Sequence, residues 1–426
     1  MKATFTFVLL ISLSIQASAQ WLPLNSGTDS HLRSVHFIDE DNGWVAGMDN
    51  YIKSTYNGGE TWMNTSTHGW STDRWYSIFA INSEEIYACG STFNYDRWQT
   101  NYARTDNGGS SWTLPTSWGN AYGSVKEVFF LNADLGWKVG FNTPSGRLWR
   151  TTEGINGWDL YIRVDHNPYS VYFIDENIGW ISCTDGYVLT STDGGETWIE
   201  NATGVTETLN SIFFINSSTG WAVGDDSDIG VIIKSTDGGT TWSQVNHPAT
   251  MSLYSVQFVN ANIGWTCGSK LDSGEERGVI LYTNDGGENW TEQYVCDQLS
   301  TLFSLFFIDG LTGWAVGYDG IMLKTTNAGG TSFEGIDETS DKYLTSISFP
   351  NPSSTTTTIK YILKQPETVA ITVFNHLGNE VEFIKQEQTS GNQQVVCNVE
   401  KLASGIYFYK LVAGEYTSSG KIVVSR

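Results

Sequence analysis

The sequence predicts an all-β protein: a seven-bladed β-propeller of four-stranded blades, followed by a small C-terminal β-sandwich. Three observations carry this expectation. A two-part unit recurs seven times at spacings of 40 to 50 residues, the size of a propeller blade. The composition is turn-rich and aromatic, with Gly 44, Trp 18, Tyr 20 and Phe 20 but Pro only 8. No segment sustains a helical period, and short apolar or alternating runs are bounded by Gly, Asn and Asp. At 40% hydrophobic the chain is too apolar for disorder.

One half of the unit reads S-V-x-F-I-D-x-x-x-G-W-x-x-G. It stands at Ser34–Gly47, Ser211–Gly224, Ser255–Gly268 and Ser304–Gly317, and more loosely at Ser170–Thr184. Ser77–Gly90 and Glu127–Gly140 are variants, the former with Ile86-Tyr87 in place of Gly-Trp. The first stretch is read as an inner strand and G-W-x-x-G as the second. β-branched runs such as Tyr51–Thr55 and Val231–Thr236 supply the third. The other half, K-S-T-D-G-G-x-T-W, ends at Trp62, Trp112, Trp158, Trp198, Trp242, Trp290 and Phe333, with spacings of 50, 46, 40, 44, 48 and 43. Its central glycines suit a hairpin turn that needs positive φ, and T-W opens the outer strand. An unpaired edge invites foreign strands. Trp21-Leu22-Pro23-Leu24 has no preceding blade, so it is expected to supply the outer strand of the seventh, with Phe333 opening the exit linker.

The two ends of the chain read differently. Residues 1–19 have the pattern of a secretory signal peptide: Lys2, an apolar run from Phe5 to Ile15, and Ala17-Ser18-Ala19 before the cut. That run is too short to cross a ~30 Å hydrocarbon layer. Residues 334–347 read as a polar, acidic linker, placing the propeller at 20–333 and the C-terminal domain at 348–426. The formal charge of −23 is concentrated in the propeller, where residues 20–345 hold 15 basic and 40 acidic groups. Such a surface repels phosphates and argues against nucleic acid. The five cysteines form no CxxC. Cys89, Cys183 and Cys267 read as small core residues at equivalent points of three repeats, and a Cys267–Cys296 bridge is the one pairing to weigh.

The turn half matches the Asp-box, S/T-x-D-x-G-x-T-W/F, of bacterial sialidases and related propellers. Ser191, Asp193, Gly195, Thr197 and Trp198 fit in full, as do Ser235, Asp237, Gly239, Thr241 and Trp242; Thr283, Asp285, Gly287 and Trp290 nearly do. Asn57 and Asn107 replace the Asp in blades one and two, Glu153 and Ile155 depart from the pattern in blade three, and Ala328 in blade seven. A short carboxylate bonds the N–H groups of its own turn, so these residues are expected to be structural, with the Trp packing between blades. With the G-W half included, residues 21–333 resemble the photosystem II stability/assembly factor family of propellers. That resemblance implies a binding scaffold rather than an enzyme. The tail resembles the type A sorting domain of the type IX secretion system of Bacteroidota, through Phe349-Pro350-Asn351-Pro352, Val373-Phe374-Asn375, Leu402–Phe408, Gly414 and Lys421–Val424. It implies contact with the secretion machinery and delivery to the cell surface or medium.

The residue just before each inner strand is expected to face the central funnel. These are Arg33, Tyr76, Lys126, Tyr169, Asn210, Tyr254 and Phe303, and such a ring suits a glycan or protein partner, or alternatively plugs the channel. Longer loops at Ser91–Asn101 (with Trp98), Gly224–Gly230 and Gly268–Gly278 are expected to rim the same face. No cofactor is expected; Asp225, Asp226 and Asp228 are the one group with oxygen ligands for Ca²⁺. No catalytic residue is assigned. A sialidase needs an Arg cluster, and the chain has nine Arg, none in a Phe-Arg-Ile-Pro motif. A glycoside hydrolase using loop carboxylates such as Asp96, Asp226 and Glu275 is the alternative.

Overall fold

The computed structural model describes residues 21–65, 74–94, 97–113, 123–142, 145–154, 157–158, 160–226, 229–248, 251–329, 346–349, 353–363, 365–375, 380–414 and 416–424. The predicted signal peptide and Phe333 lie outside them. Among the described residues, the stretch 22–325 forms seven antiparallel sheets, six of four strands and one of three. The inner strands are Leu32–Phe37, Arg74–Ala80, Ser124–Phe130, Pro168–Phe173, Thr208–Phe214, Ser252–Phe258 and Leu302–Phe307. Each packs on the next, and the last packs on the first, so the sheets run in a ring. The three-stranded member is the second; beyond Arg97–Asp106 its described chain adds only the bridge Arg104–Thr113. As expected, the N-terminal strand Leu22–Pro23 pairs with Met322–Thr325 in the seventh sheet. Leu24 N–H extends the clasp to the Met322 carbonyl, and the Trp21 indole donates to Gln293 in the sixth.

Three recurring contacts explain the repeat. The first is a stack. The Phe ending an inner strand lies over the first Gly of G-W, whose missing side chain leaves room for the ring: a Cβ on Gly220 would sit 2.5 Å from the Phe214 ring. Its other face receives the Trp of the preceding sheet. Trp221–Phe258 centroids are 3.5 Å apart, Trp180–Phe214 3.6 Å and Phe37–Trp314 3.5 Å, all nearly parallel. The second contact is a staple. The same indole N–H donates to a glycine carbonyl in the next sheet's Asp-box, as Trp221 does to Gly286 (3.1 Å) and Trp314 to Gly58 (3.0 Å). It is missing where Ala328 replaces the accepting glycine and where Tyr87 replaces the Trp. In the seventh sheet Gln293 donates to the Ala328 carbonyl, and the Trp265 N–H is buried without a partner. Tyr87, facing the third sheet, likewise buries an unpartnered hydroxyl.

The third contact is a ring of hydrogen bonds around the axis. The Ser of S-V-x-F accepts the backbone N–H of the following inner strand: Ile78 to Ser34, Val128 to Ser77, Ile212 to Ser170, Val256 to Ser211, Leu305 to Ser255 and Val35 to Ser304. In the third sheet Glu127 takes the serine's place and accepts from Val171 at 2.6 Å. Burial pushes the Glu127 carboxyl up to about 7. A group whose folded pKa is raised contributes stability that is complete below its unfolded value of about 4.5 and is lost as pH rises through about 7. Stability is therefore expected to fall by roughly 2–3 kcal/mol between pH 4.5 and pH 8 from this group. Glu127→Ser should remove that slope in urea titrations; an unchanged slope would refute the assignment.

The C-terminal domain is a seven-stranded sandwich. One sheet orders Ser346–Phe349, Thr356–Leu363 and Gly391–Asn398; the other orders Glu380–Gln388, Glu367–Asn375, Gly405–Ala413 and Tyr416–Val424. Ile359, Tyr361 and Val395 from one meet Ile371, Tyr409 and Leu411 from the other in a shared core. The first strand begins at Ser346, two residues inside the stretch read as linker.

All five cysteines are buried and free, so the weighed Cys267–Cys296 bridge is not formed. Cys89 and Cys267 are equivalent, facing Ser77 and Ser255, but Cys183 is not: it stands one position further along, facing Pro168. Other sheets have Gly there.

Candidate functional site

The site begins with a departure from regular pairing. In every one of these inner strands the ladder skips one residue: Arg33, Tyr76, Lys126, Tyr169, Asn210, Tyr254 or Phe303. These residues therefore lie within their strands, as bulges, not before them as the sequence suggests. A bulge leaves its residue unpaired and re-aims the side chain. The last Gly of G-W-x-x-G makes the bulge possible, because the inner strand comes too close for a side chain. A Cβ on Gly224 would stand 1.8 Å from the Thr208 carbonyl oxygen, and one on Gly268 1.8 Å from that of Ser252. Opposite Cys183 the facing residue is Pro168, which has no N–H to draw the strands together.

The seven side chains converge. The Arg33 guanidinium lies 3.7 Å above the Phe303 ring, and Phe303 meets Tyr254 edge-on at 5.2 Å. Lys126 Nζ is 4.5 Å from the Tyr76 ring centre, 5.4 Å from that of Tyr169 and 5.1 Å from that of Phe141. Asn210 donates to the Asp225 carboxylate at 2.6 Å and to the Leu253 carbonyl. Burial, reinforced by the charge of Arg33, holds the Lys126 amine down at about 8, and burial also lowers Arg33. All seven are partly exposed.

One layer deeper lies a set that the sequence reading missed. His36, Phe79, Phe129, Tyr172, Phe213, Gln257 and Phe306 occupy the x of S-V-x-F. His36 touches Phe79 (4.7 Å) and Phe306 (4.4 Å), and the chain of rings continues through Phe129, Tyr172 and Phe213. Gln257 completes the layer by bonding the Phe307 backbone in both directions. This aromatic layer forms a floor beneath the bulge residues, its side chains themselves half-buried. Burial holds His36 neutral, with its pKa down at about 3. The signal was present as an aromatic column at one motif position, read only as strand patterning.

The rim consists of hairpins rather than loops. Pairing continues through Asp272–Glu275 in the sixth sheet and through Asn94–Arg97 in the second. The side chains of Trp98 and Asp226, and all of Asp96 and Asp228, lie outside the described residues. Asp225 is held by Asn210 and Ser252, and Glu275 is paired with Arg277 at 3.0 Å. Among the described residues no three His, Cys, Asp or Glu groups are placed to hold a metal.

The Asp-boxes occupy the opposite end of the sheets. Asp193 accepts from the Thr197 N–H and hydroxyl and from Ser191, and Asp237 repeats this with Thr241 and Ser235. Those bonds from Thr197 hold the Asp193 carboxyl down at about 2. Asp285 uses Asn289 and Thr283 in the same way. Gly195, Gly239 and Gly287 sit at positive φ. Trp198, Trp242 and Trp290 meet Phe173, Phe214 and Phe258 of their own sheets edge-on. The Trp of the Asp-box packs between sheets, as Trp290 does with Trp221 and Ile232, but the Trp that stacks face to face across them is that of G-W.

Residues 151–251 and 240–341 match the family described as photosynthesis system II assembly factor YCF48, and residues 348–425 match the secretion system C-terminal sorting domain. The repeats within residues 151–341 are thus similar to those of the YCF48 family, and the tail is a type IX sorting domain. No curated protein matches the sequence. Among solved structures, YCF48 from Cyanidioschyzon merolae is 18% identical with a TM-score of 0.56, over 72% of this chain and 99% of that one. A structure described as YCF48 bound to D1 peptide is 18% identical with a TM-score of 0.54, over 72% and 96%. The WD40 propeller of Doa1 is 10% identical with a TM-score of 0.54, over 72% and 96%. At these identities the likeness is one of fold. The sorting tail implies export to the cell surface or medium and contact with the type IX machinery. Among the described residues no helix is long and apolar enough to cross a membrane.

Proposed function

We propose that the chain is an exported, non-enzymatic binding module of Bacteroidota. Its seven sheets act as the blades of one propeller, and the funnel face takes a glycan or protein partner. The signal peptide at residues 1–19 starts its export, and the type IX tail completes it. One observation carries the reading: seven bulges aim Arg33, Tyr76, Lys126, Tyr169, Asn210, Tyr254 and Phe303 into one hollow above an aromatic floor. Bulges interrupt pairing, so seven in register suit a role beyond packing. The neighbour described as YCF48 bound to D1 peptide adds that a propeller of similar fold holds a ligand. A glycan and protein array probed with the mature secreted chain tests the reading. Tyr169→Ala with Tyr254→Ala should abolish capture while costing less than about 1 kcal/mol of stability. Unchanged capture, or turnover of any polysaccharide in a product assay, would refute it.

A further inference from the structure

We propose that the funnel recognises an acidic sugar, taking the carboxylate of a uronic-acid-bearing glycan between Arg33 and Lys126. This rests on the funnel reading above and names its ligand class. The first support is charge. Residues 20–345 carry a net −25, from 15 basic and 40 acidic groups, yet the seven bulge positions hold two cations and no carboxylate. Among the described residues no carboxylate lies within ion-pair distance of Arg33 or Lys126. Arg33 Nε is buried and meets no acceptor there. The two cations also act on one another. Two like charges, each partly desolvated and lacking a counter-ion, carry a standing cost that a bound anion relieves.

The second support is the form of the hollow. Below the bulge residues the rings from His36 to Phe306 touch in turn, so the hollow is lined by aromatic faces. The walls offer rings and side-chain donors. The inner-strand N–H groups next to the bulges are already given to the serine ring, as Ile78 is to Ser34 and Val256 to Ser211. A peptide that adds as a strand is read by backbone pairing. A pyranose ring is read by aromatic faces and by side-chain donors to its hydroxyls. Tyr76, Tyr169 and Tyr254 supply both, and the two cations suit a carboxylate on the same ring.

The test uses the full mature chain and calorimetry with four probes: oligogalacturonate, alginate oligomers, the methyl-esterified galacturonate, and hexaglutamate. At least one of the two uronates should bind, more weakly at high salt, and esterification should abolish binding to galacturonate if that is the one bound. Arg33→Gln and Lys126→Met should each weaken binding roughly 10- to 100-fold, the range expected for a charge-assisted hydrogen bond. Thermal melts confirm that both variants fold. If neither uronate binds, or if both variants bind as the parent does, the acidic-sugar assignment fails. Hexaglutamate held through Arg33 in preference to the uronates overturns it in favour of an acidic peptide. Neutral glycans captured on the array through Tyr169 would also overturn it, yet leave the funnel reading standing. Capture of nothing on the array removes both.

Discussion

Trp221→Ala is expected to lower the unfolding free energy by about 3–5 kcal/mol, the range for deleting a large buried aromatic side chain. Trp221 is fully buried, stacks on Phe258 of the next sheet at 3.5 Å and donates to the Gly286 carbonyl. One substitution therefore opens a cavity between two sheets and leaves a buried carbonyl without its donor. Trp265 separates the two effects, since it stacks equally on Phe307 (3.8 Å) but has no partner for its N–H. Phe at either position keeps a ring in the stack. Trp221→Phe should thus cost about 1 kcal/mol more than Trp265→Phe, the net worth of one hydrogen bond. Urea unfolding of the three variants measures both quantities. Equal costs for the two Phe variants would show that the staple adds nothing to stability.

Gly224→Ala is expected to cost about 3 kcal/mol or more, large for a single methyl group. The added carbon would meet the Thr208 carbonyl oxygen at 1.8 Å and its carbon at 2.8 Å, both backbone atoms of the bulged strand. A flexible side chain could turn away; a strand paired on one side and packed in a ring cannot. The strands must separate or the bulge must straighten, and straightening re-aims Asn210 out of the funnel. Ligand capture should therefore fall along with stability. A variant that unfolds at the parent's urea midpoint would show that the close approach is not needed. Cys183 is the natural contrast, a side chain in the same register facing Pro168.

The blade unit was legible in the sequence because its causes are local. Gly-Gly turns need positive φ, Asp193 and Asp237 bond residues four positions away, and β-branched runs favour strands. The clasp at Leu22–Pro23 could also be anticipated, since a ring with an open edge is a recognisable defect. The funnel residues were legible as positions, from Arg33 to Phe303, because they hold one place in a repeat. Their cause was not. The bulge exists because an inner strand and its neighbour approach at Gly47, Gly90 or Gly224, a relation between strands that appears only once they are paired. For the same reason the floor from His36 to Phe306 looked like ordinary alternation, and the G-W Trp gave no sign of its partner in the next sheet. Trp221 and Gly286 are 65 residues apart, and nothing local links them. Period, turn and patterning act within a few residues of the chain; the aromatic floor, the stapling of one sheet to the next and the meeting of Arg33 and Lys126 with the funnel rings arise from contacts between sheets, set by packing around a common axis.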